Sequence, residues 1–283
     1  MKKLLALLFA LTMAVSLCAC GSAPAEEEAA PAEDAAASGE TVTLKVAATP
    51  VPHAEVLQQV VDVLAEQGID LQITEYSDYV IPNTAVEEGD MDANYFQHTP
   101  YLDQFNEENG THLVSVAPVH FEAMGIYGGI TTSIEELPDG AKIAVPNDAT
   151  NEARALQLLA AQGLIEIDPE AGLNATPNDI TSNPKNLEFM ELEAAMLPQT
   201  VEEVNLSVIN SNYALEAGLN PAEDALAAED SASEAAQTFA NIVVVKEGNE
   251  EDPAIQALVA ALQSDAVRDF INETYSGAVV PMF

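Results

Sequence analysis

The chain has 283 residues, of which 47 are Asp or Glu and only 8 are Lys or Arg, so its formal net charge at pH 7 is −39. Such a surface repels nucleic acids and anionic lipid headgroups, because no basic patch is present to displace their counterions. Nucleic-acid binding is therefore excluded, and any recognition of an anion by a guanidinium must use Arg154 or Arg268.

The first segment in chain order has the pattern of an exported lipoprotein precursor. Two lysines precede an apolar stretch over residues 4–17, which is too short to span a bilayer as a permanent helix. Ala19 and Cys20 follow, and this junction resembles a bacterial lipobox. The resemblance implies a signal peptide over residues 1–19, cleavage before Cys20, and acyl chains, palmitate among them, on that cysteine. An ordinary secretory signal without lipid is the alternative.

Residues 20–40 begin with the lipidated Cys20 and continue as an acidic tether. Residues 21–40 hold six acidic residues and two prolines, with no aromatic or β-branched side chain. Such a segment buries too little apolar surface to offset the entropy of ordering it, so we predict disorder. We expect the folded part to be lipid-anchored on the extracytoplasmic face of the bacterial cell membrane.

Residues 41–283 alternate between strand-like and helix-like segments. Strands are predicted over residues 41–49, 69–76, 91–96, 112–119, 124–127, 142–145, 187–191, 206–209 and 242–245. Helices are predicted over residues 53–67, 82–88, 101–108, 151–162, 253–263 and 265–275. The alternation favours an α/β fold with mostly parallel sheets, and the length suits two lobes.

The first predicted helix shows the pattern used for these assignments. Residues 53–67 place Val56, Val60, Val63 and Leu64 on one apolar face. We therefore expect all four side chains to be buried.

Residues 89–101 form the densest group of candidate site residues. Phe96, His98 and Tyr101 follow a short strand, and ligands of open α/β sheets bind beyond the carboxyl ends of strands. A calcium loop is disfavoured, because Tyr95 and Tyr101 stand where it needs glycine and glutamate. Simple core packing is the alternative for Phe96 and Tyr101.

Residues 142–156 run from a strand through a turn into a helix. Asp148, Thr150 and Asn151 supply capping oxygens, and the first turn of a helix attracts anions. Arg154 is predicted in that turn, where the helix dipole disfavours a cation. In a chain with so few cations, this position makes Arg154 a candidate anion ligand. A surface salt bridge is the alternative.

A third and weaker candidate is the group of amides in residues 207–214, where an apolar strand ends in Asn210 and Asn212. The sequence has no nucleophile elbow, Walker-type loop or C-x-x-C pair, so we assign no catalytic residue and do not expect an enzyme. A zinc site is disfavoured because the histidines lack ligand spacing. We expect no metal and no cofactor.

Taken together, these segments resemble the NlpA lipoprotein family, the methionine-binding lipoproteins of ABC importers. The resemblance runs in order through residues 52–55, 78–79, 82–83, 89–101, 141–156, 179–180, 183–185, 194–198, 208–214 and 240–241. It implies an α/β, two-lobed periplasmic-binding-protein fold with a ligand cleft between the lobes. Lobe 1 is expected to comprise residues 41–124 and 241–283, and lobe 2 residues 125–240.

The resemblance also implies the residues of the pocket. The wall around the thioether side chain is expected to comprise Tyr79, Phe96, His98 and Tyr101. The polar contacts are expected to comprise Asn151 and Arg154 at the ligand's α-carboxylate, and Asn212 and Asn241 at its other backbone groups.

The function implied is capture of L-methionine, or a close analogue, for delivery to the permease and ATPase of an ABC importer. A receptor of the same type for D-methionine or for a methionine-containing dipeptide is one alternative. A membrane-anchored hydrolase that uses His98 and an adhesin with a vestigial cleft are the others.

Overall fold

Two mixed β-sheets organise residues 41–283, the part of the chain that the computed structural model describes. The predicted signal peptide, Cys20 and the acidic tether lie outside the described residues. Across the described part, no helix is long and apolar enough to span a membrane.

The strands and helices follow in chain order. The strands are β1 (Val42–Ala48), β2 (Ile69–Glu75), β3 (Ala93–His98), β4 (Leu113–Glu122), β5 (Gly125–Gly128), β6 (Lys142–Pro146), β7 (Glu166–Ile167), β8 (Ile180–Ser182), β9 (Glu188–Leu192), β10 (Leu206–Ile209), β11 (Ala227–Ala228), β12 (Asn241–Lys246) and β13 (Val279–Pro281). The helices are α1 (Glu55–Gln58), α2 (Val61–Ala65), α3 (Ile81–Glu88), α4 (Thr99–Asn109), α5 (Ala149–Ala161), α6 (Leu197–Thr200), α7 (Ser211–Glu216), α8 (Glu234–Thr238), α9 (Pro253–Leu262) and α10 (Asp265–Tyr275).

The larger sheet has the strand order β13-β4-β12-β3-β1-β2. Strand β1 runs parallel to β2 and β3, whereas β12 is antiparallel to both β3 and β4. Every residue of β3 is buried, which is typical of a strand covered on both faces. Val46, Val243 and Leu258 are among the residues that form the core on this sheet.

The smaller sheet has the order β11-β5-β10-β6-β9. Here β6 runs parallel to β9 and β10, while β5 is antiparallel to its two neighbours. Ile143, Val145, Leu156, Leu159 and Val208 are among its core residues. β7 and β8 form a separate two-stranded ribbon.

The prediction of mostly parallel sheets was wrong, because antiparallel pairs are at least as frequent in both. A parallel pair follows from a local strand–helix–strand crossover. Strand β12 instead enters the larger sheet after the chain has passed through the smaller one, so no local crossover sets its direction.

The division of strands between the sheets follows the chain. The larger sheet uses strands from residues 42–122 and 241–281, and the smaller one uses strands from residues 125–228. The chain therefore passes between the sheets twice, once after Glu122 and once before Asn241.

The first predicted helix is divided into α1 and α2. Gln59 and Val60 form a turn between the two segments, and Val60 has φ −107° and ψ −2°. Val56, Val60 and Leu64 are buried as expected, but Val63 is 48% exposed, so its placement on the core face was wrong. Helix periodicity does not carry across a break of this kind.

Helix α5 begins earlier than predicted. The Asp148 carboxylate accepts a hydrogen bond from the Asn151 N–H at 3.0 Å and caps the helix, which confirms its predicted capping role. Thr150 and Asn151 lie inside the helix and are not its caps. Arg154 consequently lies in the second turn and not in the first, where the prediction had placed it.

Candidate functional site

All eight residues predicted to form the pocket line one cavity. The predicted residues in its lining are Tyr79, Phe96, His98, Tyr101, Asn151, Arg154, Asn212 and Asn241. The lining residues that the sequence did not assign to the pocket are Gln97, Glu122, Asn210 and Ser211.

Strand ends place several of the polar lining residues, and helices α5 and α7 place Asn151, Arg154 and Asn212. His98 and Glu122 end β3 and β4, and Asn210 directly follows β10. Asn241 begins the antiparallel strand β12 and lies opposite His98 and His120. The cavity therefore lies at strand ends, as the sequence predicted for candidate ligand residues.

Three aromatic rings form one wall of the cavity. The ring centroids of Tyr79 and Phe96, and of Tyr79 and Tyr101, are 5.7 Å apart, and those of Phe96 and Tyr101 are 6.0 Å apart. The Tyr101 hydroxyl donates to the Tyr79 carbonyl at 3.0 Å and fixes the two rings relative to each other. Tyr213 extends the group from α7, with its ring 5.0 Å from Tyr79. Such a wall suits an apolar, polarisable side chain.

His98 connects the larger sheet to α5 through its imidazole. Its Nδ1 accepts from the Tyr101 N–H at 3.2 Å, so Nε2 carries the proton and donates to Asn151 Oδ1 at 3.2 Å. Burial and the charge of Arg154 lower the pKa of His98 to about 3. His98 is therefore neutral at pH 7 and serves as a fixed hydrogen-bond donor to α5.

The side chain of Asn151 is held in place on both sides. Its Oδ1 also accepts from Asn210 Nδ2 at 2.8 Å, and its Nδ2 donates to Asp148 Oδ1 at 2.8 Å. This amide therefore has one fixed orientation within the cavity wall.

Arg154 is 4% exposed and already carries a counter-ion. Its Nε and Nη2 donate to Glu229 at 2.8 and 2.5 Å, and Nη2 also donates to the Glu122 carbonyl at 2.8 Å. The guanidinium carbon lies 4.4 Å from the centroid of the Phe239 ring. A surface salt bridge was the alternative for Arg154. The structure instead shows an ion pair with Glu229 that is buried.

Two amide atoms at the cavity lack a partner. Asn212 Nδ2 and Asn210 Oδ1 are buried and make no hydrogen bond to any described residue. Asn212 Oδ1, by contrast, accepts from the Tyr79 hydroxyl at 2.6 Å. An unsatisfied buried polar atom costs about 1–3 kcal/mol, so the pair marks where a ligand with its own donor and acceptor would bind.

Glu122 joins the cavity to a buried network of two histidines. Its Oε1 lies 2.7 Å from His120 Nε2 and 3.2 Å from His53 Nε2. The Thr49 hydroxyl donates to His53 Nδ1 at 2.6 Å, and the Tyr95 hydroxyl donates to His120 Nδ1. These contacts assign the proton of each ring to Nε2, which donates to Glu122 from His120 and to Asn241 Oδ1, at 3.0 Å, from His53.

The same three side chains have the spacing of metal ligands. Within residues 41–283, the donor atoms of His53, His120 and Glu122 form the one such group. Because His120 Nε2 already donates to the Glu122 carboxylate and His53 Nε2 donates to Asn241 Oδ1, the group is a hydrogen-bonded network. Burial lowers the pKa of His53 to about 4 and that of His120 to about 3, so both rings are neutral at pH 7.

A comparison of the sequence with family models decides the family. The model described as NlpA lipoprotein matches residues 44–283. The chain belongs to the NlpA lipoprotein family.

Individual members of the NlpA family are similar over most of their length. The methionine-binding lipoprotein MetQ of Bacillus subtilis (strain 168) is 38% identical over 286 residues, which cover 100% of this chain and 99% of the relative. The D-methionine-binding lipoprotein MetQ of Escherichia coli (strain K12) is 40% identical over 229 residues, or 80% and 82% of the two chains.

A solved structure of a relative supports the same fold. The nutrient binding protein of Burkholderia cenocepacia bound to methionine has a TM-score of 0.81 and 42% identity, over 85% of this chain and 100% of that one. The α/β periplasmic-binding-protein fold predicted from the sequence is confirmed. The names of these NlpA-family relatives and solved structures describe binding proteins, in agreement with the expectation that this protein is not an enzyme.

Proposed function

We propose that the protein is a lipid-anchored receptor that captures methionine outside the cytoplasm and delivers it to an ABC importer. The observation that carries this proposal is one cavity in which three aromatic rings face a buried arginine and an unpartnered amide. These groups suit the two ends of methionine. A relative that is 42% identical has been solved with methionine bound, which supports the same ligand here.

The aromatic end of the cavity would hold the thioether. Tyr79, Phe96 and Tyr101 form the wall, and each contact between sulfur and an aromatic ring contributes about 0.3–1.5 kcal/mol. The edge of His98 completes this wall, because its centroid lies 6.4 Å from that of Tyr101.

The polar end would hold the α-carboxylate. Glu229 and the Glu122 carbonyl occupy Nε and Nη2 of Arg154, so the ligand would approach the Nη1 side of the guanidinium. Asn212 Nδ2 would donate a second hydrogen bond and gain the partner that it lacks. Asn151 and Asn241 would complete the polar lining.

Contacts across the cavity support closure of two lobes around the ligand, with residues 41–124 and 241–283 in one lobe and residues 125–240 in the other. The Tyr79 hydroxyl donates to Asn212 Oδ1, and the Tyr213 hydroxyl donates to the Ser77 carbonyl at 3.2 Å. Opening would break these bonds and release the ligand.

The membrane anchor and the transport partners complete the proposal. Membership of a lipoprotein family supports acylation of Cys20, with residues 21–40 as a tether on the extracytoplasmic face of the cell membrane. The permease and ATPase of a methionine importer would receive the ligand.

Calorimetry on the purified lipoprotein in detergent tests the proposal. L-methionine, D-methionine, glycylmethionine and leucine are titrated in turn. Saturable binding of a methionine-containing ligand in preference to leucine supports the proposed receptor function. The order of the affinities for L-methionine, D-methionine and glycylmethionine identifies the preferred ligand. The absence of binding by all four contradicts it. Recovery of the ligand chemically unchanged separates a receptor from a hydrolase.

A further inference from the structure

We propose that Glu122 supplies the counter-charge for the α-ammonium group of the ligand, so that the cavity selects ligands with a free, protonated amine. This inference rests on the proposed function and names a specificity residue within the same site. The resemblance that predicted the pocket did not include Glu122.

The position of Glu122 is the first argument. It ends β4, the residue is 6% exposed, and it lines the cavity together with Arg154 and Asn212. The carboxylate is therefore the acidic group in the lining, at the polar end where the amino-acid backbone of the ligand would lie. A carboxylate in such a position forms a charge-assisted hydrogen bond with an ammonium group.

The balance of charge in the cavity is the second argument. Arg154 is neutralised by Glu229, since Nε and Nη2 donate to the two carboxylate oxygens at 2.8 and 2.5 Å. His53, His98 and His120 contribute hydrogen bonds but no charge, because burial holds the pKa of each ring well below neutrality. Glu122 is therefore the carboxyl group of the cavity lining that would pair with a cationic group of the ligand.

Hydrogen bonding favours the anionic form of Glu122 and fixes its position. His120 donates its Nε2–H to Oε1 at 2.7 Å, and the Asn212 backbone also lowers the pKa of this carboxyl. His53 Nε2 lies 3.2 Å from Oε1 but donates to Asn241 Oδ1. Burial has the largest effect and raises the pKa of Glu122 overall, while the charge of Arg154 opposes this shift. A ligand ammonium would add a second favourable charge at a site where water is largely excluded.

The test compares ligands that differ only in the amine. L-methionine is titrated by calorimetry against 2-hydroxy-4-(methylthio)butanoate, in which a hydroxyl replaces the ammonium. The intact protein is expected to prefer methionine by about 10- to 150-fold, the range for one hydrogen bond to a charged group. Equal affinity of the intact protein for the two ligands overturns the inference while the proposed function stands. Failure to bind methionine overturns both.

Variants then assign the preference to one residue. Glu122→Gln is expected to lose affinity for methionine and to reduce the ratio of the two affinities to within about threefold, because a lost hydrogen bond to a charge accounts for the difference. A purely structural role for Glu122 would weaken both ligands alike and leave the ratio unchanged, which contradicts the inference.

Controls keep the result interpretable. Glu88→Gln removes the same charge from an exposed position on α3 and should keep the preference of the parent. Glu122→Asp retains the charge on a shorter side chain, so it should keep part of the preference for methionine over the hydroxy analogue. This variant also tests the inference where Glu122→Gln fails to fold. A ratio in Glu122→Asp as low as that of a neutral side chain contradicts the charge argument.

Discussion

Arg154 and Glu229 form a two-point ion pair, with Nε to Oε1 at 2.8 Å and Nη2 to Oε2 at 2.5 Å. Glu229 also accepts from the Met124 N–H at 2.8 Å, so the pair joins α5 to both passages of the chain between the sheets. The guanidinium is therefore oriented before a ligand arrives, and little rotamer entropy remains to be lost on binding.

Arg154→Lys should weaken methionine binding by tenfold or more, because an ammonium cannot bond Glu229 at two points and also reach the ligand, and a hydrogen bond between charged groups is worth about 1.5–3 kcal/mol. Calorimetry measures the affinity, and thermal unfolding shows how much stability the variant loses. Arg268→Lys, at a partly exposed arginine that does not line the cavity, is the matched control and should bind as the parent does. An affinity within twofold of the parent in Arg154→Lys would count against the carboxylate assignment.

Tyr79→Phe should reduce affinity about fivefold, the effect of one neutral hydrogen bond of about 1 kcal/mol, because the bond to Asn212 Oδ1 is lost while the ring remains. The dissociation rate, measured by stopped-flow fluorescence, should rise by the same factor if this bond helps to close the cavity. Tyr76→Phe, on the same segment but outside the cavity lining, is the control. An unchanged dissociation rate in Tyr79→Phe would separate this bond from closure.

The deletion of residues 21–40 should leave the affinity for methionine unchanged, because the tether is predicted to be disordered and the cavity is formed by residues 79–241. Calorimetry on the truncated and full-length lipoproteins gives the comparison. A substantial loss of affinity on truncation would show that the acidic segment contributes to the site.

Glu152→Gln should stabilise the protein at alkaline pH. Burial, together with repulsion from Glu191, raises the pKa of Glu152 to about 7, and its Oε1 has no partner among the described residues. The folded state then binds this proton more tightly than the unfolded state does, so the group destabilises the fold above neutrality and the penalty disappears as the pH falls.

Thermal unfolding of Glu152→Gln across pH provides the measurement. The melting temperature should exceed that of the parent at about pH 8.5 and approach it at about pH 5, where the parent is already protonated. Glu191→Gln should produce a smaller gain at alkaline pH, because it removes the repulsion but leaves the burial of Glu152, and the two gains should not add in the double variant. An equal gain in melting temperature at both pH values would contradict the raised pKa of Glu152.

Local patterns predicted many of the strands and helices and part of the cavity lining, whereas Tyr79 and Asn241 were assigned only through the family resemblance. His98 and Tyr101 were found because a short strand and the helix after it are both visible in the sequence. Glu122 was missed because the predicted strand ended at residue 119, three residues before β4 ends, so its carboxylate was not recognised as lying at a strand end.

Glu229 could not be found in this way. It lies 75 residues from Arg154 and is one of 47 acidic residues, and no local pattern distinguishes it from the others. The antiparallel direction of β12 was missed for a related reason, since it depends on where the chain returns from the smaller sheet. Long-range pairing is set by the assembled fold and not by the residues that flank each partner.

Glu122 is also the last residue before the chain leaves the larger sheet, and Gly125 begins the first strand of the smaller one. If the lobes close as proposed, the ligand binds close to the axis about which they rotate. Small displacements at this carboxylate then produce larger displacements at the outer rim of the lobes. An importer that contacts this rim would distinguish the receptor with bound ligand from the receptor without it, although it does not contact the amino acid.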